Sequence, residues 1–129
     1  MTITPVKDMV AAATAKIESV PVADAQARMH DDDFQLVDIR DPRELDREGR
    51  IPGAFHAPRG MLEFWVDPAS PYHKPIFASG KKLVFFCASA WRSALSVETL
   101  NAMGLENAAQ LEGGFSAWRK AGAPIDKAD

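Results

Sequence analysis

The chain has 129 residues, 15 basic and 18 acidic side chains, a formal net charge of −3 and one cysteine. That length suits one compact domain with a core of its own, and a lone cysteine excludes an internal disulfide as its support. Scattered charge speaks against nucleic acid, and the lack of any long apolar run or cleavable apolar leader predicts a cytoplasmic protein with no membrane partner.

Pro5 to Ala15 reads as an alanine-rich helix, an appendage with Pro5 suited to its first position and Met9 and Val10 forming a small apolar face. Ile17 to Val20 is a short strand candidate, and Pro21 opens a segment with Val22, Ala25 and Met29 at helical spacing. Phe34 to Ile39 forms the next strand. Asp41-Pro42-Arg43-Glu44 then supplies an acceptor, a proline at the first helical position and a glutamate at the third: a capping box for a short helix ending near Gly49. A brief strand around Ala54 to His56 leads into a connection from Pro58 to Lys82, rich in proline and aromatic residues, with one helical turn near Met61 to Trp65. After the strand Leu83 to Phe86, Ala94, Val97, Leu100 and Met103 recur every three residues along a helix that stops at Gly104. Ala108 to Leu111 is a fifth strand, and Gly113-Gly114 turns the chain into a last helix with Phe115, Trp118 and Ala121 inward, closed by Gly122 and Pro124. Strands alternating with helices predict one α/β domain built on a mainly parallel sheet.

Little in the chain calls for a cofactor. His30, His56 and His73 lack metal-ligand spacing, and neither a dinucleotide-binding nor a P-loop glycine signature is present, so no metal or nucleotide is expected. The chemistry concentrates instead on Cys87, where the apolar run Leu83-Val84-Phe85-Phe86 breaks into Ala88-Ser89-Ala90-Trp91-Arg92-Ser93 ahead of a helix. A free cysteine after an apolar run is often a small core hydrophobe. A strand-to-helix turn at the carboxyl end of a parallel sheet, however, aims helix amides and the positive end of a dipole at the sulfur. Such a field favours thiolate over thiol, and Arg92 adds a fixed positive charge beside it.

Four segments taken together resemble a rhodanese-type sulfurtransferase domain: Leu36-Val37-Asp38-Ile39-Arg40 with Asp41-Pro42-x-Glu44; Ile51-Pro52-Gly53-Ala54; the Cys87 to Ser93 loop; and Leu111-Glu112-Gly113-Gly114-Phe115-x-x-Trp118. The resemblance runs from about Ile17 to Pro124, so residues 1–16 are expected to be an N-terminal helical extension, 17–125 the domain and 126–129 a tail. It implies a three-layer α/β/α domain with a five-stranded parallel sheet and the active cysteine after the fourth strand. It further implies that Cys87 attacks the outer sulfur of a donor such as thiosulfate and passes it, as a persulfide, to a thiol or cyanide; a protein acceptor is a further partner to consider. The amides of Ala88, Ser89, Ala90, Trp91, Arg92 and Ser93 would cradle the persulfide charge, and Arg92 would bind the donor sulfonate. Asp38, Arg40, Glu44 and Glu112 are expected to hold the loops through hydrogen bonds and ion pairs, Gly113 and Gly114 to serve turn geometry, and Trp118 to pack in the core.

Two departures from the family pattern stand in the loop. Many members carry glycine at its fourth position and a small or polar residue at its fifth, where this chain has Ala90 and Trp91. If the fourth residue takes positive φ, alanine there costs about 1–2 kcal/mol. Outside the loop, Arg59, Phe64 and Trp65 of the long connection are candidates for a wall beside Cys87, the alternative being that Phe64 and Trp65 cover the sheet. Two rival functions remain. Cysteine-dependent phosphatases and arsenate reductases also join a thiolate to an arginine, but typically place five residues between them, where this chain has four. A silent rhodanese-like binding module is the other, although such modules usually lack the cysteine.

Overall fold

The computed structural model describes residues 2–127. Five parallel strands form one sheet: β1 (Ser19–Val20), β2 (Phe34–Asp38), β3 (Phe55–His56), β4 (Lys82–Phe86) and β5 (Ala108–Leu111), in the order β1-β5-β4-β2-β3. Six helices alternate with them: α1 (Val6–Lys16), α2 (Val22–Arg28), α3 (Pro42–Glu48), α4 (Leu62–Val66), α5 (Trp91–Met103) and α6 (Gly114–Lys120). No helix among the described residues is long and apolar enough to cross a membrane.

The layers follow from strand alternation. Along β4, Val84 and Phe86 enter a cluster that includes Phe115 and Trp118 of α6 and Ala25 of α2. Leu83, Phe85 and the following Cys87 enter the opposite cluster with Leu62 and Val66 of α4 and Val97 and Leu100 of α5. Both faces of the sheet are therefore covered, and the period of two puts the Cys87 sulfur on the α4–α5 side. The capping box forms at α3: the Asp41 carboxylate accepts from Arg43 N at 2.8 Å, and Glu44 Oε1 accepts from Asp41 N at 3.1 Å.

Several expectations need correction. Pro5 is the N-cap of α1 rather than its first helical residue. Of the expected apolar face of that helix, Val10 is buried with Ala13 against Ala94 of α5, whereas Met9 faces solvent. Ala121, expected inward on the last helix, is exposed because α6 ends at Lys120 and Ala121 is its C-cap; Ala123 is buried instead. The long connection holds more structure than one turn. A 3₁₀ turn, Arg59–Met61, runs into α4, and a second, Pro75–Ala78, buries Phe77, which stacks on Phe85 at 6.3 Å and meets Phe55 edge-on at 5.9 Å. Near the C-terminus, Asp126 pairs through its backbone with Arg50 in an antiparallel bridge; residues 128–129 of the expected tail lie outside the described part.

Candidate active site

The loop from Cys87 to Ser93 leaves the carboxyl end of β4, in the middle of the sheet, and becomes the first turn of α5. Its carbonyls are held from behind. Phe115 N donates to Cys87 O at 2.8 Å and Ser116 N to Ala88 O at 3.0 Å, so the start of α6 is fastened to the loop. Gly114 is required for that approach: it has φ +64, and a Cβ there would lie 2.6 Å from Cys87 O. With the carbonyls engaged, the amides from Ala88 to Ser93 donate to no protein acceptor among the described residues. Successive unpaired N–H groups around one point form a nest for an anion.

Ala90 closes the turn with φ 71, the sole described non-glycine residue at positive φ. The strain anticipated for alanine at this position is therefore present, about 1–2 kcal/mol. Trp91 starts α5 and leaves 48 % of its surface exposed. Cys87 itself is 1 % exposed. Burial alone would suit a core cysteine equally well; the open amides and Arg92 set this one apart.

Arg92 meets Glu44 in a two-pronged ion pair, Nη1 to Oε1 at 2.7 Å and Nη2 to Oε2 at 2.9 Å. The same Glu44 carboxylate closes the capping box of α3, so the cap that starts one helix also aims the partner of the loop arginine. Hydrogen bonding from Arg92 holds the Glu44 carboxyl below its ordinary 4.5, and Glu44 in turn raises the Arg92 guanidinium above its ordinary value, with the neighbouring Cys87 sulfur adding to the effect. Asp41, Arg43, Glu44, Arg47 and Arg92 line a cleft of about 500 Å³.

Asp38 and Arg40 form a second pair on the α6 face. Arg40 Nη2 donates to Asp38 Oδ2 at 2.8 Å and to Gly49 O at 2.9 Å, and the guanidinium lies 4.1 Å from the Phe115 ring centroid. Glu112 departs from expectation: it is exposed, and its contribution to the turn is its backbone amide, which donates to Val20 O.

The long connection starts after β3 at the same carboxyl end of the parallel sheet as the loop, and α4 packs against α5. Within it, Arg59 pairs with Glu63 at 2.8 Å, and exposed Phe64 meets Tyr72 edge-on at 6.5 Å. Trp65 packs edge-on against Phe55 at 6.2 Å with Lys74 over its ring. Arg59 and Phe64 thus have partners within the connection itself, while Trp65 bridges from it to Phe55 of β3. Sequence reading missed Gln110, whose side chain lies between Ser93 and Ser19; the available signal was a polar residue inside a fully buried strand.

The model of the rhodanese-like domain matches residues 21–121. Among solved structures, the chain is similar to a protein of unknown function from Rhodopseudomonas palustris CGA009, described as a possible tyrosine phosphatase, with a TM-score of 0.92, 53% identity and 98% of each chain covered. It is also similar to the polysulfide-sulfur transferase homodimer from Wolinella succinogenes, with a TM-score of 0.69, 31% identity, and 92% of this chain and 85% of that chain covered. A sulfurtransferase of Allochromatium vinosum is 31% identical over 94 residues, 73% of this chain and 79% of that protein. An uncharacterized protein of Synechocystis is 37% identical over 92 residues, which are 71% of this chain but 46% of that longer protein.

Proposed function

Because the chain belongs to the rhodanese-like domain family, we propose that it is a sulfurtransferase in which Cys87 carries a sulfane sulfur as a persulfide. The observation that carries this reading is that the amides from Ala88 to Ser93, on the loop that Cys87 opens, donate to no protein acceptor among the described residues, with Arg92 on the same loop interacting with the sulfur. The Cys87 thiolate attacks the outer sulfur of a thiosulfate-like donor. A Cys87 Sγ–S bond forms as the donor's S–S bond breaks, and sulfite leaves with that bond's electron pair. A thiol, free or on a protein, or cyanide then takes the outer sulfur and returns Cys87 as thiolate. The amides stabilise the negative sulfur throughout with little reorganisation, because α6 fastens the loop through the Cys87 and Ala88 carbonyls. Arg92 accepts the donor sulfonate by exchanging it for one or both prongs of its Glu44 partner. A reducing, cytoplasmic setting belongs to this reading, since the thiol must stay free.

Arg59, Phe64 and Trp65 are proposed as the acceptor side of the site. Support comes from the packing of α4 on α5 and from the exposed ring of Phe64. A wall there selects the acceptor without being needed for attack on a small donor.

The test is intact mass spectrometry after exposure to thiosulfate, then to cyanide or a bulky thiol. The wild-type chain is expected to gain the mass of one sulfur atom and lose it to either acceptor, and Cys87→Ser to gain none. Loading of Cys87→Ser at the wild-type rate would overturn the mechanism. Trp65→Ala is expected to load normally while the ratio of the two transfer rates changes; equal changes in all steps point to packing instead. An aryl phosphate assay on the same samples decides the phosphatase alternative, which the R. palustris description raises and the four-residue spacing from Cys87 to Arg92 disfavours.

A further inference from the structure

We propose that Gln110 is a positioning residue for Cys87, acting through the Ser93 hydroxyl by reversing the direction of one buried hydrogen-bond chain. The inference rests on the sulfurtransferase reading only in taking Cys87 as the working nucleophile. Gln110 is 2 % exposed and sits in β5 among Ala108, Ala109 and Leu111. An amide at such a position costs stability unless both of its ends are bonded. Its Oε1 accepts from Ser93 Oγ at 2.8 Å, and its Nε2 donates to Ser19 Oγ at 3.2 Å. Ser93 is fully buried, and its Oγ lies 3.7 Å from Cys87 Sγ. One chain of polar atoms therefore runs from β1 through β5 and α5 to the sulfur at the end of β4.

In this arrangement every proton points away from the sulfur: Cys87 S–H to Ser93, Ser93 O–H to Gln110, and Gln110 N–H to Ser19. That direction suits the thiol. A half-turn of the planar amide exchanges its donor and acceptor ends with almost no change of shape, and each hydroxyl can both donate and accept. Ser19 then donates to the amide oxygen, the amide nitrogen donates to Ser93 Oγ, and the Ser93 proton turns to the sulfur. That direction suits a thiolate or a persulfide anion, because hydrogen bonding to the charged form favours it. Both directions leave every group in the chain bonded. An apolar side chain at 110 would support neither, and would free Ser93 to donate to the carbonyl four residues back, as hydroxyls in helices do.

Among the charged groups on the elements around Cys87, Arg92 of α5 interacts with the sulfur and pairs with Glu44 of α3, the Asp38–Arg40 pair stands at the end of β2, and Glu63 of α4, Glu98 of α5 and Arg119 of α6 are paired with Arg59, Lys16 and Glu48. All are unchanged in the variants that test the proposal. The measurement is the rate of Cys87 alkylation by iodoacetamide as a function of pH, with no sulfur donor present, on variants whose thermal melting shows them folded. Gln110→Met is expected to raise the pH of half-maximal rate by about 0.5–1 unit, and Ser93→Ala by at least as much. The double variant is expected to match Ser93→Ala alone, since Gln110 works through that hydroxyl. An unmoved midpoint in Gln110→Met, or additive shifts in the double variant, would overturn the proposal. Should Gln110→Met not fold, Ser19→Ala interrupts the chain at its far end without a core cavity; a smaller upward shift supports the proposal and no shift overturns it. Alkylation needs only the thiol, so the outcome stands apart from whether Cys87 transfers sulfur.

Discussion

Two arginine–carboxylate pairs flank the cysteine loop, and they differ in burial far more than in chemistry. Arg40 and Asp38 are 1 % and 2 % exposed in their side chains, while Arg92 and Glu44 keep 42 % and 18 %. The buried pair joins the end of β2 to Gly49 and to the ring of Phe115, and so ties α3 and α6 to the sheet. Its charges were desolvated during folding, and parting them would strand one in a low-dielectric interior. The half-exposed pair has no such constraint. Water or a sulfonate can replace either prong, so an arginine held by Glu44 remains available to a ligand. Burial thus separates an ion pair that builds the site from one that can work in it.

Asp38→Ala breaks the buried pair and carries the largest expected effect. It leaves Arg40 charged and unpaired in the core, and is expected to destabilise the fold by about 3–5 kcal/mol. Urea unfolding would show it, and a loss below 1 kcal/mol would erase the contrast between the pairs. Arg92→Ala tests the other side. Its cost to stability is expected to stay within about 1 kcal/mol, because the pair is part-exposed, while kcat/KM for thiosulfate falls roughly 10–100-fold through loss of a charged hydrogen-bonding partner. Unchanged kinetics would remove Arg92 from donor binding.

Ala90→Gly examines the loop between the pairs. Relief of positive-φ strain, partly offset by the greater backbone freedom of glycine when unfolded, is expected to stabilise the chain by about 0.5–1 kcal/mol. A lower Tm for this variant would mean that the loop uses its alanine side chain.

The smallest effect concerns acid. Glu44 is more acidic folded than unfolded, so the unfolded chain takes up its proton first as pH falls below 4.5. The stability contributed by the Glu44–Arg92 pair is therefore complete above that pH and lost as pH falls through the lowered folded value. The stability difference between wild type and Glu44→Gln, below about 1 kcal/mol at neutral pH for so exposed a pair, is expected to shrink toward zero on acidification. A difference that grows instead would reverse the assignment.

How much of this was legible beforehand varies along the chain. The capping box at Asp41 to Glu44 is local chemistry within four residues, and it forms as read. The apolar run before Cys87 and the glycine pair at the start of α6 likewise suffice to place a strand, a loop and a helix start. The second 3₁₀ turn escaped notice because Phe77, not a local signal, anchors it to Phe55 and Phe85 across the chain. Ala121 does not join the apolar face because α6 ends at Lys120, before the helical period reaches it.

By itself, then, the sequence determined the alternation of strands and helices, the cysteine at the end of a buried strand and the arginine five positions on, because these depend on periodicity and short spacing. Tertiary structure decided what those groups touch. Glu44 reaches Arg92 from 48 positions away, and Gln110 stands 17 from Ser93 and 91 from Ser19. No local pattern encodes such pairs; they follow from the parallel crossovers that place β1, β5 and β4 side by side and bring the start of α3 to the start of α5.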